Sequence, residues 1–426
     1  MSPDARTGRE SADSPPERVV ALYGPVTDAY GGSGVGGLAT HGTRVAEALP
    51  AHGVRVSYLA DNLRAHRTPA PWGSLYGIEG ARGRADAARL RLRSPLRARA
   101  VGARVAADPD RAAHAIPAPR ALSRAWLIAD ACATERAEVL HVQQPDFRPL
   151  YARWAHTGLP TLLAVHGLGV ADADPDGPVA RLVSANLATA EMLTAPSRFL
   201  AESAISLGAA PDRMHVVPNA VDHALFVPRE QNACRAALGL DPERPLAVFL
   251  GRAIEMKGAH DLLEAASRVR EIEPAFQVAF VGTWSLDTAT PPTRYEDDTR
   301  AAMMLREGAP QDELPLWLCA ADVVVVPSRY EGFGLVALEA LACARPLVLS
   351  RAGGLPEVVP DEVGTFVTPG DPASLASGIR AVLAEPDRAL ARARTGPEVA
   401  ARYSWDATAR RYAELYDELV SRSRPS

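Results

Sequence analysis

Short apolar runs alternate with longer amphipathic ones along most of the chain. RVVALYGP (18–25), VRVSYLA (54–60), VLHV (139–142), TLLAV (161–165) and MLTAP (192–196) are brief and almost uniformly apolar, and read as buried strands. The segment after Gly37 and residues 198–207 read as helices. Such a strand–helix series predicts a parallel sheet covered on both faces. A second series follows VVPNAVDHALFVP (216–228), with strands at 245–251, 276–282, 322–326 and 346–350 and helices between them. The pattern predicts two α/β domains joined near 220–230, closed by an amphipathic helix over WDATARRYAELYDELV (405–420). The expected division is a disordered stretch 1–16, a first domain 17–225, a second domain 226–403, and a tail 404–426 whose helix packs back on the first domain.

Composition narrows the class. A chain of 426 residues, 47% apolar and 23% charged, has the balance of a soluble globular protein with room for two cores. Its four cysteines, Cys132, Cys234, Cys319 and Cys343, show no paired spacing, which excludes a disulfide framework or a zinc site. The first residues are polar and no run of 18 apolar residues occurs, so a cytoplasmic location is expected. A net charge of −5 leaves no electrostatic footprint for nucleic acid. Residues 81–111 hold nine arginines against three aspartates, a solvated insertion or a membrane-surface stretch. Lys257 is the single lysine among 46 basic residues, so its choice over arginine needs a reason of its own.

Candidate chemistry gathers at strand ends, where doubly wound folds bind ligands. YGGSGVGG (30–37) follows the first strand, and Gly31, Gly32 and Gly34 would let backbone N–H groups approach phosphate or sugar oxygens. A bare turn is the alternative, because the loop does not match the dinucleotide fingerprint in phase. AVHGLG puts His166 at the end of a strand beside a glycine. VFLGRAIEMKG sets Arg252 and Lys257 in the loop after the second domain's first strand, where two cations can neutralise a diphosphate. In PSRYEGFGLVALEAL, a buried strand runs through a glycine turn into a helix. The first free N–H groups there, of Gly334, Leu335 and Val336, can hold phosphate. Glu339 lies five residues along from Gly334, about 7.5 Å on a helix, within reach of a ribose. Glu331, before the turn, would then face the hydroxyls of a sugar.

Together, PSRYEGFGLVALEALACARPLVLSRAGGLPEVV, VVPNAVD, GRAIEMKG, TAPSRF and the glycine loop resemble the retaining glycosyltransferases of family 4, over residues 18–421. That resemblance implies the GT-B fold, two Rossmann-like doubly wound domains facing across a cleft. It implies that Glu331, Gly332, Phe333, Gly334, Leu335 and Val336 hold the donor sugar and phosphates, Glu339 the ribose, and Arg252 and Lys257 the diphosphate. His166 would face the transferred carbon, and the glycine loop the phosphate and acceptor. The family requires no metal or other cofactor; a nucleotide sugar is its co-substrate. Two positions depart from its pattern: Trp284 stands where a second glycine often follows Gly282, which leaves the nucleotide base open, and CARP replaces a glycine before PLV.

Competing readings share these residues. Paired carboxylates also serve glycoside hydrolases, which have no use for a diphosphate clamp. DADPD (172–176) contains the D-x-D of metal-dependent sugar-nucleotide transfer, a match common by chance. Asp172, Asp174 and Asp176 would instead favour a cationic acceptor. The arginine- and alanine-rich chain looks similar to the enzymes that glycosylate the aminocyclitol 2-deoxystreptamine in aminoglycoside antibiotic biosynthesis, with UDP-N-acetylglucosamine or UDP-glucose as donor. The partners expected are thus a nucleotide sugar and a small polyhydroxylated acceptor, without nucleic acid or membrane. The alternatives are a membrane-surface mannosyl- or glucosyltransferase acting on a lipid or polysaccharide precursor, and a nucleotide-sugar-binding protein without catalysis.

Overall fold

The computed structural model describes residues 17–30, 37–63, 67–78, 95–167, 177–284 and 303–423. In the first half, β1 (Arg18–Gly24) leads through α1 (Gly37–Ala48) to β2 (Val54–Ala60). β3 (Arg67–Ala70) and β4 (Gly73–Gly77) then form an antiparallel pair at the sheet edge. α2 (Pro95–Ala107) and α3 (Ala118–Glu135) precede β5 (Val139–Val142), α4 (Arg148–Ala155) and β6 (Thr161–Ala164). α5 (Pro178–Thr189), β7 (Met192–Ala195), α6 (Arg198–Ser206) and β8 (Met214–Val216) complete this half. The sheet order is β3-β4-β2-β1-β5-β6-β7-β8, parallel except for the β3–β4 edge pair.

The second half repeats the plan with β9 (Leu246–Leu250), α7 (Ala259–Arg270), β10 (Gln277–Val281), β11 (Met303–Arg306), β12 (Val323–Val326), α8 (Leu335–Ala342), β13 (Leu347–Ser350) and β14 (Gly364–Val367). Its order is β11-β10-β9-β12-β13-β14, parallel throughout. Both are Rossmann-like doubly wound sheets. Core layers cover both faces of each, which is why Val323–Val326 and Leu246–Phe249 are apolar at every position rather than at alternate ones.

Strand order reverses once per sheet, between β1 and β5 and between β9 and β12. Loops leaving the carboxyl ends of such a pair diverge to opposite faces and open a crevice. The loops carrying Arg252, Lys257 and Glu331 leave β9 and β12, at the second sheet's reversal.

The tail helix α9 (Trp405–Ser423) lies on the first sheet. Ala409, Tyr412, Leu415, Tyr416 and Leu419, spaced along one helical stripe, are buried with Leu22, Val45 and Leu49 of the first domain. Arg18 Nη2 reaches Asp417 at 2.6 Å, while its Nη1 meets Glu138 at 3.1 Å.

The arginine-rich stretch is not wholly solvated. Residues 79–94 lie outside the described residues, but α2 inserts Val101 and Val105 into the first core beside Leu122 and Ala125 of α3. The four cysteines are buried free thiols. Among the described residues no helix is long and apolar enough to cross a membrane.

Candidate active site

Two loops are locked together at the second sheet's reversal. After β9, a 3-10 turn (Glu255–Lys257) ends at Gly258, whose φ is +70°. A Cβ there would fall 2.0 Å from the carbonyl oxygen of Pro327, the residue after β12, so only glycine lets the loops touch. Arg329, in the β12 loop, donates its backbone N–H to Met256 O at 2.9 Å. Its guanidinium forks onto Asp261 at 2.9 and 2.8 Å and reaches Glu255 at 3.0 Å. Asp261 is buried at the start of α7, so this fork is a rigid brace rather than a surface pair.

The brace brings Lys257 against Glu331. Lys257 Nζ donates to Glu331 Oε2 at 2.7 Å, and Ser328 Oγ donates to the same oxygen at 3.1 Å. From sequence the two residues were assigned to separate parts of a donor; the structure pairs them directly, because the β9 and β12 loops converge on one point. Gly354 N donates to Glu331 O at 2.9 Å, fixing the backbone behind the carboxylate. Gly353, at φ +54°, lies so close that a Cβ would sit 1.9 Å from that oxygen. Gly353→Ala is therefore expected to cost at least about 1 kcal/mol and to displace Glu331. Thermal unfolding and turnover measured together check this; an unshifted midpoint with full activity would refute it.

Past Glu331 the chain turns through Gly332 and Gly334 into α8. Phe333 packs its ring 5.8 Å from that of Tyr403, so this residue offers only backbone to a ligand. Gly334, at φ +105°, is the N-cap, leaving the N–H groups of Leu335 and Val336 at a positive helix end. Glu339 follows on α8; its Oε2 is shielded from solvent and has no hydrogen-bond partner. Burial pushes its carboxyl up to about 8. Arg252, two residues after β9, is exposed and makes no ion pair among the described residues.

The first domain reaches this turn. Ser197 Oγ, capping α6, donates to Gly332 O at 2.6 Å, and the Arg198 and Phe199 N–H groups hold Glu357 of the second domain at 2.9 and 2.8 Å. A Cβ on Gly332 would lie 3.2 Å from His166 O. His166 therefore stands next to Glu331 in space. Its ring Nε2 is buried without a partner, and burial lowers the ring to about 4, so it is a neutral imidazole at pH 7.

Behind His166 lies a residue that the sequence did not single out. His41, fully buried on α1, lies against the His166 ring, with centroids 4.1 Å apart and the planes tilted by 54°. Its Nε2 meets Tyr412 of α9 at 3.5 Å, and His141 Nδ1 meets Tyr416 at 2.7 Å. Burial, then the neighbouring His166 and His141 rings, holds His41 well below the usual histidine range. The contact with His41 limits how far the His166 ring can turn. His41→Phe is expected to lower kcat about 10- to 100-fold through misplacement while leaving donor KM unchanged; an equal loss in both would disprove a positioning role.

Gly31, Gly32 and Gly34, and likewise Asp172, Asp174 and Asp176, lie outside the described residues. Among the described residues no group of three or more His, Cys, Asp or Glu side chains could hold a metal ion. Sequence reading also passed over Arg329, Asp261, Ser197 and Glu357. Ser197 at the head of an amphipathic run was the one recognisable signal, that of an N-cap.

Residues 36–220 match the glycosyl transferase 4-like domain, and residues 230–399 match glycosyl transferases group 1. The chain is 36% identical over 261 residues to D-inositol 3-phosphate glycosyltransferase of Segniliparus rotundus, covering 58% of this chain but only 57% of that protein. It is 32% identical over 327 residues to the Frankia alni protein of the same name, covering 70% of this chain and 80% of its relative. In three dimensions it resembles sucrose-phosphate synthase from Thermosynechococcus elongatus, with a TM-score of 0.73 at 21% identity over 95% of this chain and all of the other.

Proposed function

The chain belongs to the group 1 glycosyl transferases, and from that premise we propose that it moves a hexosyl or N-acetylhexosaminyl group from a nucleotide sugar to a hydroxyl of a small cyclitol. UDP-N-acetylglucosamine or UDP-glucose is the donor. The observation that carries the reading is the Lys257–Glu331 pair at the second sheet's reversal, in front of the free N-terminus of α8 and beside His166. A point cation and backbone N–H groups suit a diphosphate leaving group. Glu331 and the neutral His166 ring suit the hydroxyls of the sugar being moved.

The step breaks the bond between the anomeric carbon and the diphosphate oxygen and forms one from that carbon to the acceptor oxygen. The acceptor's proton passes to the departing phosphate oxygen, on the same face of the sugar, so configuration is retained. Glu331 serves as a ligand of sugar hydroxyls rather than as a covalent nucleophile. Lys257, Arg252 and the helix end balance the departing charge, and no metal is required. Both inositol and 2-deoxystreptamine are cyclitols, so the activity named for the relatives and the aminocyclitol resemblance share one acceptor scaffold.

Mass spectrometry of reactions containing EDTA, one of UDP-N-acetylglucosamine, UDP-glucose or GDP-mannose, and inositol, inositol 3-phosphate or 2-deoxystreptamine tests this. A product with retained anomeric coupling in its proton spectrum is expected. Donor-induced thermal stabilisation without turnover on any acceptor would instead mark a binding protein.

A further inference from the structure

The head of α6 is capped from the other domain. A helix begins with four N–H groups that have no acceptor within it. On α6 the Ser197 hydroxyl, at the N-cap, accepts from Leu200 N at 3.1 Å and satisfies one of them. A self-contained capping box would place a glutamate at the position of Leu200; here that residue is apolar and buried in the first core. The carboxylate comes instead from Glu357, on the short helix Leu355–Val358 of the second domain. It takes Arg198 N at 2.9 Å and Phe199 N at 2.8 Å, and the positive end of α6 favours its charge. The Arg198 side chain is 76% exposed and 3.6 Å away, so the backbone supplies the grip.

Ser197 has a second task. While its oxygen receives the Leu200 N–H, its single proton goes to Gly332 O at 2.6 Å. Gly332 directly follows Glu331, so one hydroxyl both starts a first-domain helix and holds the turn that faces the donor. The second domain bounds the same turn from behind. Gly354 N donates to Glu331 O at 2.9 Å, and a Cβ on Gly354 would stand 2.6 Å from Gly332 O. One residue before Glu331, Tyr330 sets its ring 5.5 Å from that of Phe199 and packs on the first domain's core. The turn is clasped between the head of α6 and residues 353–357, and Glu357 ties the two jaws together.

We propose that Ser197 and Glu357 are positioning residues for the transfer. Anchored on the head of α6, they set the Glu331–Gly332 turn, and through it both the carboxylate that meets Lys257 and the start of α8. The inference rests on the glycosyl-transfer reading. A misplacement of about 1 Å in such a constellation lowers turnover on the order of 10²-fold, so two residues outside the donor's reach can control the rate.

The experiment uses the full chain and the variants Ser197→Ala, Ser197→Thr and Glu357→Gln. Hydrogen exchange of the free protein, thermal unfolding and kinetics with the UDP-sugar that is turned over are measured on each. Ser197→Ala is expected to speed exchange at least about 10-fold in the peptide carrying Gly354, whose N–H is bonded to Glu331 O, as well as at Leu200. Turnover per folded molecule should fall at least about 10-fold with donor KM within about twofold. Threonine keeps the hydroxyl and suits the extended backbone at this position, so it should restore both. Glu357→Gln, which turns an amide toward one of the two N–H groups, should lower turnover likewise. The double variant should lose less than the product of the single losses, because both residues act on one turn. Faster exchange confined to residues 198–200 with full turnover marks plain helix caps and overturns the proposal, as does a loss of activity wholly accounted for by unfolding. If wild type transfers to no acceptor while Ser197→Ala still frees the Gly354 amide, the clasp on the turn stands and the transferase reading falls.

Discussion

Lys257→Ala is expected to lower turnover by on the order of 10²-fold or more at saturating donor, the size of effect found when one preorganised donor to a developing negative charge is removed. The loss has two sources. The substitution removes the point charge proposed to face the departing diphosphate. It also strands Glu331, whose Oε2 would keep only the Ser328 hydroxyl at 3.1 Å. Stability should barely move, because Lys257 is 30% exposed and such half-solvated pairs contribute about 1 kcal/mol or less. Lys257→Arg discriminates further. A planar fork cannot occupy a position set by one 2.7 Å contact beside the tight Gly258 turn, so it should recover only part of the rate. Release of nucleotide diphosphate, followed alongside thermal unfolding, separates these outcomes; near-normal turnover in the alanine variant would remove Lys257 from the site.

The residues of that pair were legible in the sequence, and their contact was not. Glycine-flanked carboxylates after an apolar run and a lone lysine in a strand–helix loop are local patterns. Their meeting depends on Gly258 lying against Pro327 and on Arg329 bracing Asp261, contacts between loops some 70 residues apart that no periodicity reports. The same division separates the strands. Those buried on both faces, such as Val323–Val326, announce themselves as apolar runs. β3 carries a proline and alternates exposed with half-buried positions, as an edge strand should, while β8, at the other end of the sheet, is only three residues long. His41 was illegible for another reason. A histidine inside a helix gives no hint that His166 and Tyr412, distant in the chain, close around it.

Charge shows most plainly where reading a sequence reaches its limit. The three aspartates after His166 are adjacent in the chain and suggest a cationic acceptor. Arg120, Arg124 and Arg148, which line one cavity with Asp61 and Asp146, come from two separate helices or their ends. Only the fold shows how the charges around this cavity pair, with Arg148 taking both carboxylates among the described residues.

Glu339→Ala is expected to raise donor KM by about 10- to 100-fold with kcat little changed, because ribose contacts are equal in ground and transition states and a charged hydrogen bond is worth about 1.5–3 kcal/mol. Its environment adds a pH signature. Burial lifts the carboxyl to about 8, with Oε2 unpartnered, so in the free protein it is largely protonated at pH 7. Two ribose hydroxyls donating to it favour the carboxylate and lower its pKa, so donor binding should release a proton. Donor affinity should therefore climb as pH rises from 6 toward 8 and level off above. Stability runs the opposite way. The unfolded carboxyl titrates near its ordinary value of 4.5, so the protonated group's contribution is complete below that pH and is lost as pH rises through about 8. The free protein should accordingly unfold at lower temperature at pH 8.5 than at pH 5, by an increment that Glu339→Gln removes. Calorimetry at pH 7 in two buffers of different ionisation enthalpy counts the proton directly; a donor affinity flat from pH 6 to 8, or an unchanged donor KM in the alanine variant, would take the ribose away from Glu339.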